Sequence, residues 1–325
     1  MLLGMMRRAD FFAKEESPSI LALTPLQLKK WGADPTVVTV GMHILNFPEF
    51  SVVGNKFVFD GIVWFEYDPA HVSTETISKF SFEKGEIIEK SPPDSKLINQ
   101  RVLTLFKIRV RFTSNIDYTY FPMDDHRIYI TFLNTFVNPS DVMFYSAAEN
   151  FIFADNIYLV EWEIVNTSVR HGYQEAYLEK GLEQTVVRDS KVVFAFDIKR
   201  TGVRQILLIM IPLFLIFFIS LFSFGFAPVP NQTQISAVAS GGIASLIAYR
   251  FVIQNLSPQV GYFMLGDHIF TLFLVFAFIV LFMALYVIYN NSISRPMLIA
   301  RITLFFLFHI ILMSAWYYFL FIWGR

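Results

Sequence analysis

Between Arg204 and Arg250 the chain carries no formal charge. That run is far longer than the roughly 20 apolar residues that cross a bilayer, so it must hold two membrane-length helices and a connector. Residues 227–234 (APVPNQTQ) supply the connector. The first helix is predicted over 205–226 with Pro212 inside it, which membrane helices tolerate when neighbours satisfy the freed carbonyl. The second is predicted over 233–255 and ends at Leu256-Ser257-Pro258. A third spans 263–289 and, after the short polar segment 290–301, a fourth spans 302–323 with interfacial aromatics near its end. Charge divides the chain at the same place. Residues 204–325 hold five of the 26 bases and one of the 27 acids, Asp267, so residues 1–203 carry 21 and 26. A hydrophobic content of 54% against 16% charged thus resolves into a water-soluble part and a membrane part.

The second helix differs from the others. It is rich in Ala, Ser, Gly and Gln, whereas the rest are crowded with Phe, Leu and Ile. Every third or fourth residue gives Ser236, Ser240, Ile243, Ile247, Arg250 and Gln254 on one face, which starts hydroxylated, turns aliphatic and ends charged. Such a stripe suits a pore lining in which an aliphatic constriction gates by dewetting. It equally suits small residues that let helices pack closely in a bundle. Arg250 either faces the pore, where a ring of positive charge favours anions, or turns towards a neighbouring helix or the interface.

Upstream, short β-branched and aromatic runs occur at 37–45, 56–67, 102–112, 127–132, 158–169 and 192–199, separated by turn signals such as Gly54-Asn55, Ser91-Pro92-Pro93-Asp94 and Asn138-Pro139-Ser140. With no helical pattern long enough for βαβ units between them, the expectation is an antiparallel β-sandwich. Three regions follow: an N-terminal segment 1–34 with a short helix capped by Thr24, started by Pro25 and closed by Gly32; a sandwich over 35–200; and a membrane domain over 201–325.

One segment carries more information than the rest. Residues 114–128 read SNIDYTYFPMDDHRI. This resembles the signature loop of the pentameric ligand-gated ion channels, the Cys-loop receptor superfamily. Ser114 and Ile128 stand at the two cysteine positions, and Tyr120-Phe121-Pro122-Met123-Asp124 supplies the aromatic-Pro-x-Asp core. The chain has no cysteine at all, as in the family's prokaryotic, cysteine-free members. Arg200, twelve residues before Pro212, is similar to the arginine that ends the last strand of the family's sandwich. Asn255-Leu256-Ser257-Pro258 falls where the family places a proline-containing linker, and Trp64-Phe65-Glu66 resembles its Trp-x-Asp with Glu for Asp.

The resemblance implies a ligand-gated channel: a homopentamer in a cell (inner) membrane, with the sandwich in the periplasm or extracellular space and the second helices around a central pore. It implies a small-molecule or proton agonist between neighbouring sandwiches, under a hairpin at 171–189, and passive flow of permeating ions. Tyr173 and Tyr177 on that hairpin either form part of an aromatic cage for a cationic ligand or serve as packing residues. Coupling is expected where Glu49, Phe121, Pro122, Asp124, Arg200 and Pro258 meet, with an Arg200–Asp124 ion pair tying sandwich to helices. The competing reading is a non-conducting membrane receptor or assembly subunit with the same fold.

No nucleophile elbow, phosphate loop, dinucleotide fingerprint or zinc helix is present, so no enzyme activity and no cofactor are expected. The six histidines have no metal-ligand spacing, and the charge balance gives no sign of nucleic-acid binding. His126, beside Asp124 and Asp125, serves either as a pH sensor or as a satisfied loop histidine. The first residues, MLLGMMRRADFFAKEE, lack the apolar core of a secretory signal. Export of the sandwich therefore leads us to expect a signal or a further domain upstream.

Overall fold

In a computed structural model the described residues are 15–32, 34–180, 183–201, 204–222 and 232–289, with positions 295, 298, 299, 302, 303, 306 and 310. The chain divides into two compact units. One is built from strands and takes in Phe12–Asp117 and Asp125–Thr201; the other gathers the helices after Gly202 together with Tyr118–Asp124.

The strand unit opens with helix α1 (Pro25–Trp31). Thr24 caps it by accepting from the Gln27 N–H, Gln27 returns a bond to the Thr24 N–H, and Gly32 closes it at φ 63°. This reciprocal box satisfies donors that a helix start leaves without intrahelical partners.

Two sheets follow. The larger orders β4 (Gly85–Lys90), β6 (Arg101–Phe112), β2 (Lys56–Tyr67), β1 (Thr36–Ser51) and β8 (Val142–Tyr145), with β5 (Asp94–Ile98) on β6 and β9 (Phe151–Phe153) on β1. The smaller orders β10 (Trp162–Lys180), β11 (Glu183–Arg200), β7 (Asp125–Asn134) and β3 (Ser81–Glu83). A short helix α2 (Thr74–Ser78) precedes β3.

The expected purely antiparallel sandwich is corrected here: the larger sheet is mixed. β8 and β9 both run parallel to β1, pairing Val37 with Met143 and His43 with Ile152. A 3-10 turn at Ala148–Asn150 separates the two short strands, so one edge of the long β1 accommodates both in turn. Strands of three to six residues such as β3, β4, β8 and β9 offer too little alternation to be read from sequence alone.

Alternation on the longer strands builds the core. Val38, Val40, Met42 and Ile44 of β1, Phe57, Phe59, Val63 and Phe65 of β2, Ile128 and Phe132 of β7, and Phe194 and Phe196 of β11 are all buried. Their rings interlock: Phe65 to Phe132 at 5.7 Å, Phe132 to Phe144 edge-on at 5.3 Å, and Phe151 to Phe194 at 5.2 Å. Edge-to-face and offset pairs of this kind add about 0.5–1.5 kcal/mol each beyond their buried area.

In the helical unit α3 (Arg204–Phe222), α4 (Gln232–Leu256) and α5 (Leu265–Tyr289) are each long and apolar enough to cross a membrane. They match the first three expected spans to within a few residues at each end. Of the expected fourth span, 302–323, only Ile302, Thr303, Phe306 and Ile310 are among the described residues, and most of the connector 227–234 lies outside them. Phe214 and Phe217 of α3 meet Phe273 of α5 at 5.2 and 5.3 Å. Ile235, Ala239, Leu246 and Ile253 form the buried face of α4.

Candidate functional site

The Tyr118–Asp124 segment, which carries the aromatic-Pro-x-Asp core, is bonded to the linker that follows α4 and to the head of α5. The Tyr118 N–H donates to the Tyr262 hydroxyl at 2.9 Å. The Leu265 N–H donates to the Thr119 carbonyl at 2.8 Å and the Gly266 N–H to the Phe121 carbonyl at 3.0 Å. A helix start leaves its first N–H groups without intrahelical partners, so the loop's carbonyls cap α5 from outside. Phe121, Met123 and Asp124 are buried, and the Phe121–Pro122 peptide is cis. Pro258, in the same linker, is buried as well. Phe121, Pro122, Asp124 and Pro258, four of the six expected coupling residues, therefore belong to one unit.

The expected stripe on α4 runs along the flank of its buried face. Ser240 and Gln254 are exposed, Ile247 is 50% exposed and Ser236 is half-buried. Ile243 packs within the helical unit at 8% exposure. The Arg250 guanidinium turns to α5, where Nη1 donates to the Asp267 carboxylate and the cation lies 5.4 Å from the Phe270 ring centroid. Ala237, Gly241, Ala244 and Ala248 continue the exposed surface of α4 next to the stripe.

In the strand unit, Arg200 ends β11 with its side chain buried. Its N–H donates to Asp125 Oδ1 at 2.8 Å, its guanidinium lies 3.6 Å from Glu161 Oε2, and the cation stacks 4.3 Å over the Trp162 ring. One strand register away, Arg127 grips Asp197 with two bonds at 2.6 and 2.8 Å, and that hydrogen bonding raises the guanidinium above its ordinary pKa. Glu49 lies exposed on β1, opposite Val58.

The hairpin is a direct continuation of β10 and β11, whose register holds from Trp162–Arg200 to Lys180–Glu183. Tyr173 and Tyr177 have different fates on it. Tyr173 is 2% exposed: Trp31 packs edge-on at 5.1 Å, Gln27 Nε2 donates to its hydroxyl at 2.8 Å, and its backbone pairs with Leu21. Tyr177 is 62% exposed, with its hydroxyl 3.4 Å from Glu175. In this structure Tyr173 is a packing residue under the N-terminal segment, and Tyr177 alone of the two stands open.

The same N-terminal segment reaches His126. Glu15 Oε1 lies 2.8 Å from His126 Nδ1, both side chains are buried, and Glu15 also accepts from the Arg127 N–H. Burial pushes the Glu15 carboxyl above its ordinary pKa, more than the histidine and backbone bonds pull it down. His126 is thus a satisfied residue in a buried pair. Among the described residues no group of three or more His, Asp and Glu stands together as a metal site.

Sequence reasoning passed over Glu161, Trp162, Gln27, Trp31 and Glu15. Most of these come together only through long-range pairing, which no local spacing encodes. Asp267 had a signal, since it is the lone acid after residue 203. Compared with known proteins, the chain matches no family model and no curated protein.

Proposed function

We propose that the chain is a subunit of a pentameric ligand-gated ion channel of the prokaryotic, cysteine-free type. The observation that carries this reading is the bonding of the Tyr118–Asp124 segment to Tyr262, Leu265 and Gly266. A segment bearing the superfamily's motif, placed in sequence between β6 and β7, caps a membrane-length helix. Supporting it are three apolar helices and an uncharged, small-residue α4 with an exposed flank.

In this reading five copies surround a pore lined by α4, in an inner membrane with the strand units on the periplasmic or extracellular side. A small-molecule or proton agonist binds between neighbouring strand units and favours one of two packings of the linker Ser257–Met264. The head of α5 shifts with the loop, α4 tilts, and the aliphatic ring at Ile247 widens enough to wet. Ions then flow passively. Arg200 holds the end of β11 in register for this movement. The small exposed residues of α4 favour a second reading, a non-conducting receptor or assembly subunit in which that face only packs. Planar-bilayer recording of the purified protein separates the two. Gated single-channel steps under acid, calcium or ligand challenge support the channel; intact pentamers silent under all of them support the alternative.

A further inference from the structure

Arg250 and Asp267 are the only formal charges between Arg204 and Arg295, and they are bonded to each other. A lone ion at membrane depth is costly, and pairing lowers that cost. The carboxylate is fixed at both oxygens. Oδ1 accepts from Arg250 Nη1, and Oδ2 accepts from the Met264 N–H at 2.9 Å, ahead of the first turn of α5. That position suits an anion, because a helix start presents free N–H groups and the positive end of its dipole. Asp267 is 7% exposed while Arg250 is 36% exposed. The acid is therefore the anchored member and the arginine the movable one. Beside the pair is a cavity of about 250 Å³ lined in part by Gln254, Pro258 and Tyr262, which gives the guanidinium room to swing once released.

We infer that Asp267 is a positioning residue for ion selectivity: it holds Arg250 against α5 and cancels its charge, so that the α4 stripe presents no net charge to permeating ions. This rests on the channel reading proposed above. On that stripe Arg250 follows Ile247 and precedes Gln254, so five unpaired copies would set a positive ring in the ion path. Five Arg–Asp pairs do not. The wild-type pathway then discriminates weakly between cations and anions, and Asp267, which lines no part of the stripe itself, sets that balance.

The test is the chloride-to-sodium permeability ratio, taken from reversal potentials of purified channels in planar bilayers under a sodium chloride gradient, with acid and calcium steps as opening probes. Asp267→Asn frees five positive charges and is expected to raise the ratio at least about threefold. Arg250→Gln leaves the anchored carboxylate uncompensated and moves the ratio the other way by a smaller factor. Asp267→Glu keeps the wild-type ratio, and the double variant Arg250→Gln with Asp267→Asn returns close to it. A merely structural pair would reduce current in both single variants without opposite shifts in selectivity. Conducting single variants with unchanged ratios, or with shifts in one direction, overturn the inference while leaving the channel reading intact. Should Asp267→Asn fail to assemble, an unchanged ratio in Arg250→Gln overturns it alone. Wild-type pentamers silent in every condition overturn the channel reading and this inference together.

Discussion

The Gly266 N–H donates to the Phe121 carbonyl at 3.0 Å, which ties a loop between two strands in sequence to the first turn of a membrane-length helix. Beside it the Tyr262 hydroxyl receives the Tyr118 N–H, so the fastening has a side-chain component that mutation can remove without touching the backbone.

Tyr262→Phe deletes that acceptor and leaves the ring in place. The Tyr118 N–H loses a bond worth about 1 kcal/mol, enough for an approximately fivefold rise in local opening. Hydrogen exchange of the purified protein should show the Tyr118 amide exchanging about fivefold faster, with Leu265 and Gly266 following in part, while amides of β1 and β2 are unchanged. Unaltered exchange at Tyr118 would mean that the hydroxyl contributes nothing to the fastening.

Gly41 faces Trp64 across β1 and β2, and a Cβ added at Gly41 would sit 2.1 Å from Trp64 Cε2. Gly41→Ala must therefore displace the indole, at a cost of about 1–3 kcal/mol. Thermal unfolding should shift downward by roughly 2–4 °C for each kcal/mol. Trp64→Ala combined with Gly41→Ala removes the clash, so the double variant should lose less than the sum of the two single losses. Strict additivity would show that the glycine is kept for another reason.

Glu15 makes stability depend on pH with a sign opposite to that of an ordinary surface carboxylate. Its pKa in the folded state is raised by burial above the usual carboxyl value, so the folded protein holds this proton more tightly than the unfolded chain does. The contribution is fully present below the unfolded carboxyl pKa and is lost as pH rises through the raised value. Thermal unfolding of wild type and Glu15→Gln across mildly acidic to alkaline pH isolates this effect. The difference between the two should tilt toward wild type at low pH and away from it as pH rises; parallel curves would contradict the assignment.

Much of this fold is legible in the sequence where elements are long and periodic. Three membrane-length helices follow from the charge-free runs, and the Thr24 cap with Pro25 and Gly32 marks α1 at its observed bounds. The strands β2 and β6, and parts of β1 and β11, follow from their β-branched and aromatic runs. The parallel placement of β8 and β9 does not, because three or four residues choose a partner by the edge left open to them rather than by pattern.

At the candidate site the residues Phe121, Pro122 and Asp124 are readable as a cluster, whereas the partners of their segment, Tyr262 for Tyr118, Leu265 for Thr119 and Gly266 for Phe121, lie more than a hundred residues away in sequence. Ser114 shows the same divide. Ser114 accepts a bond from the Tyr129 N–H at 3.4 Å, next to the fully buried Ile128, although the two lie fourteen residues apart in sequence. Tyr173 takes the packing alternative for a physical reason: exposure on a hairpin depends on what covers it, and Trp31 and Gln27 belong to a segment far upstream.

Because the chain contains no cysteine, any single cysteine introduced into it is unique. The measurement that bears most directly on the channel reading is therefore cysteine scanning along α4, with current through the purified protein recorded before and after a charged thiol reagent. Block is expected at Ser236→Cys, Ser240→Cys, Ile247→Cys and Gln254→Cys. It is not expected at Ala239→Cys, Leu246→Cys or Ile253→Cys, whose side chains form the buried face of the same helix. Block that follows the first set supports α4 as the wall of an ion path. Gated current that no cysteine on that stripe affects would contradict it, as would pentamers that pass no current at all.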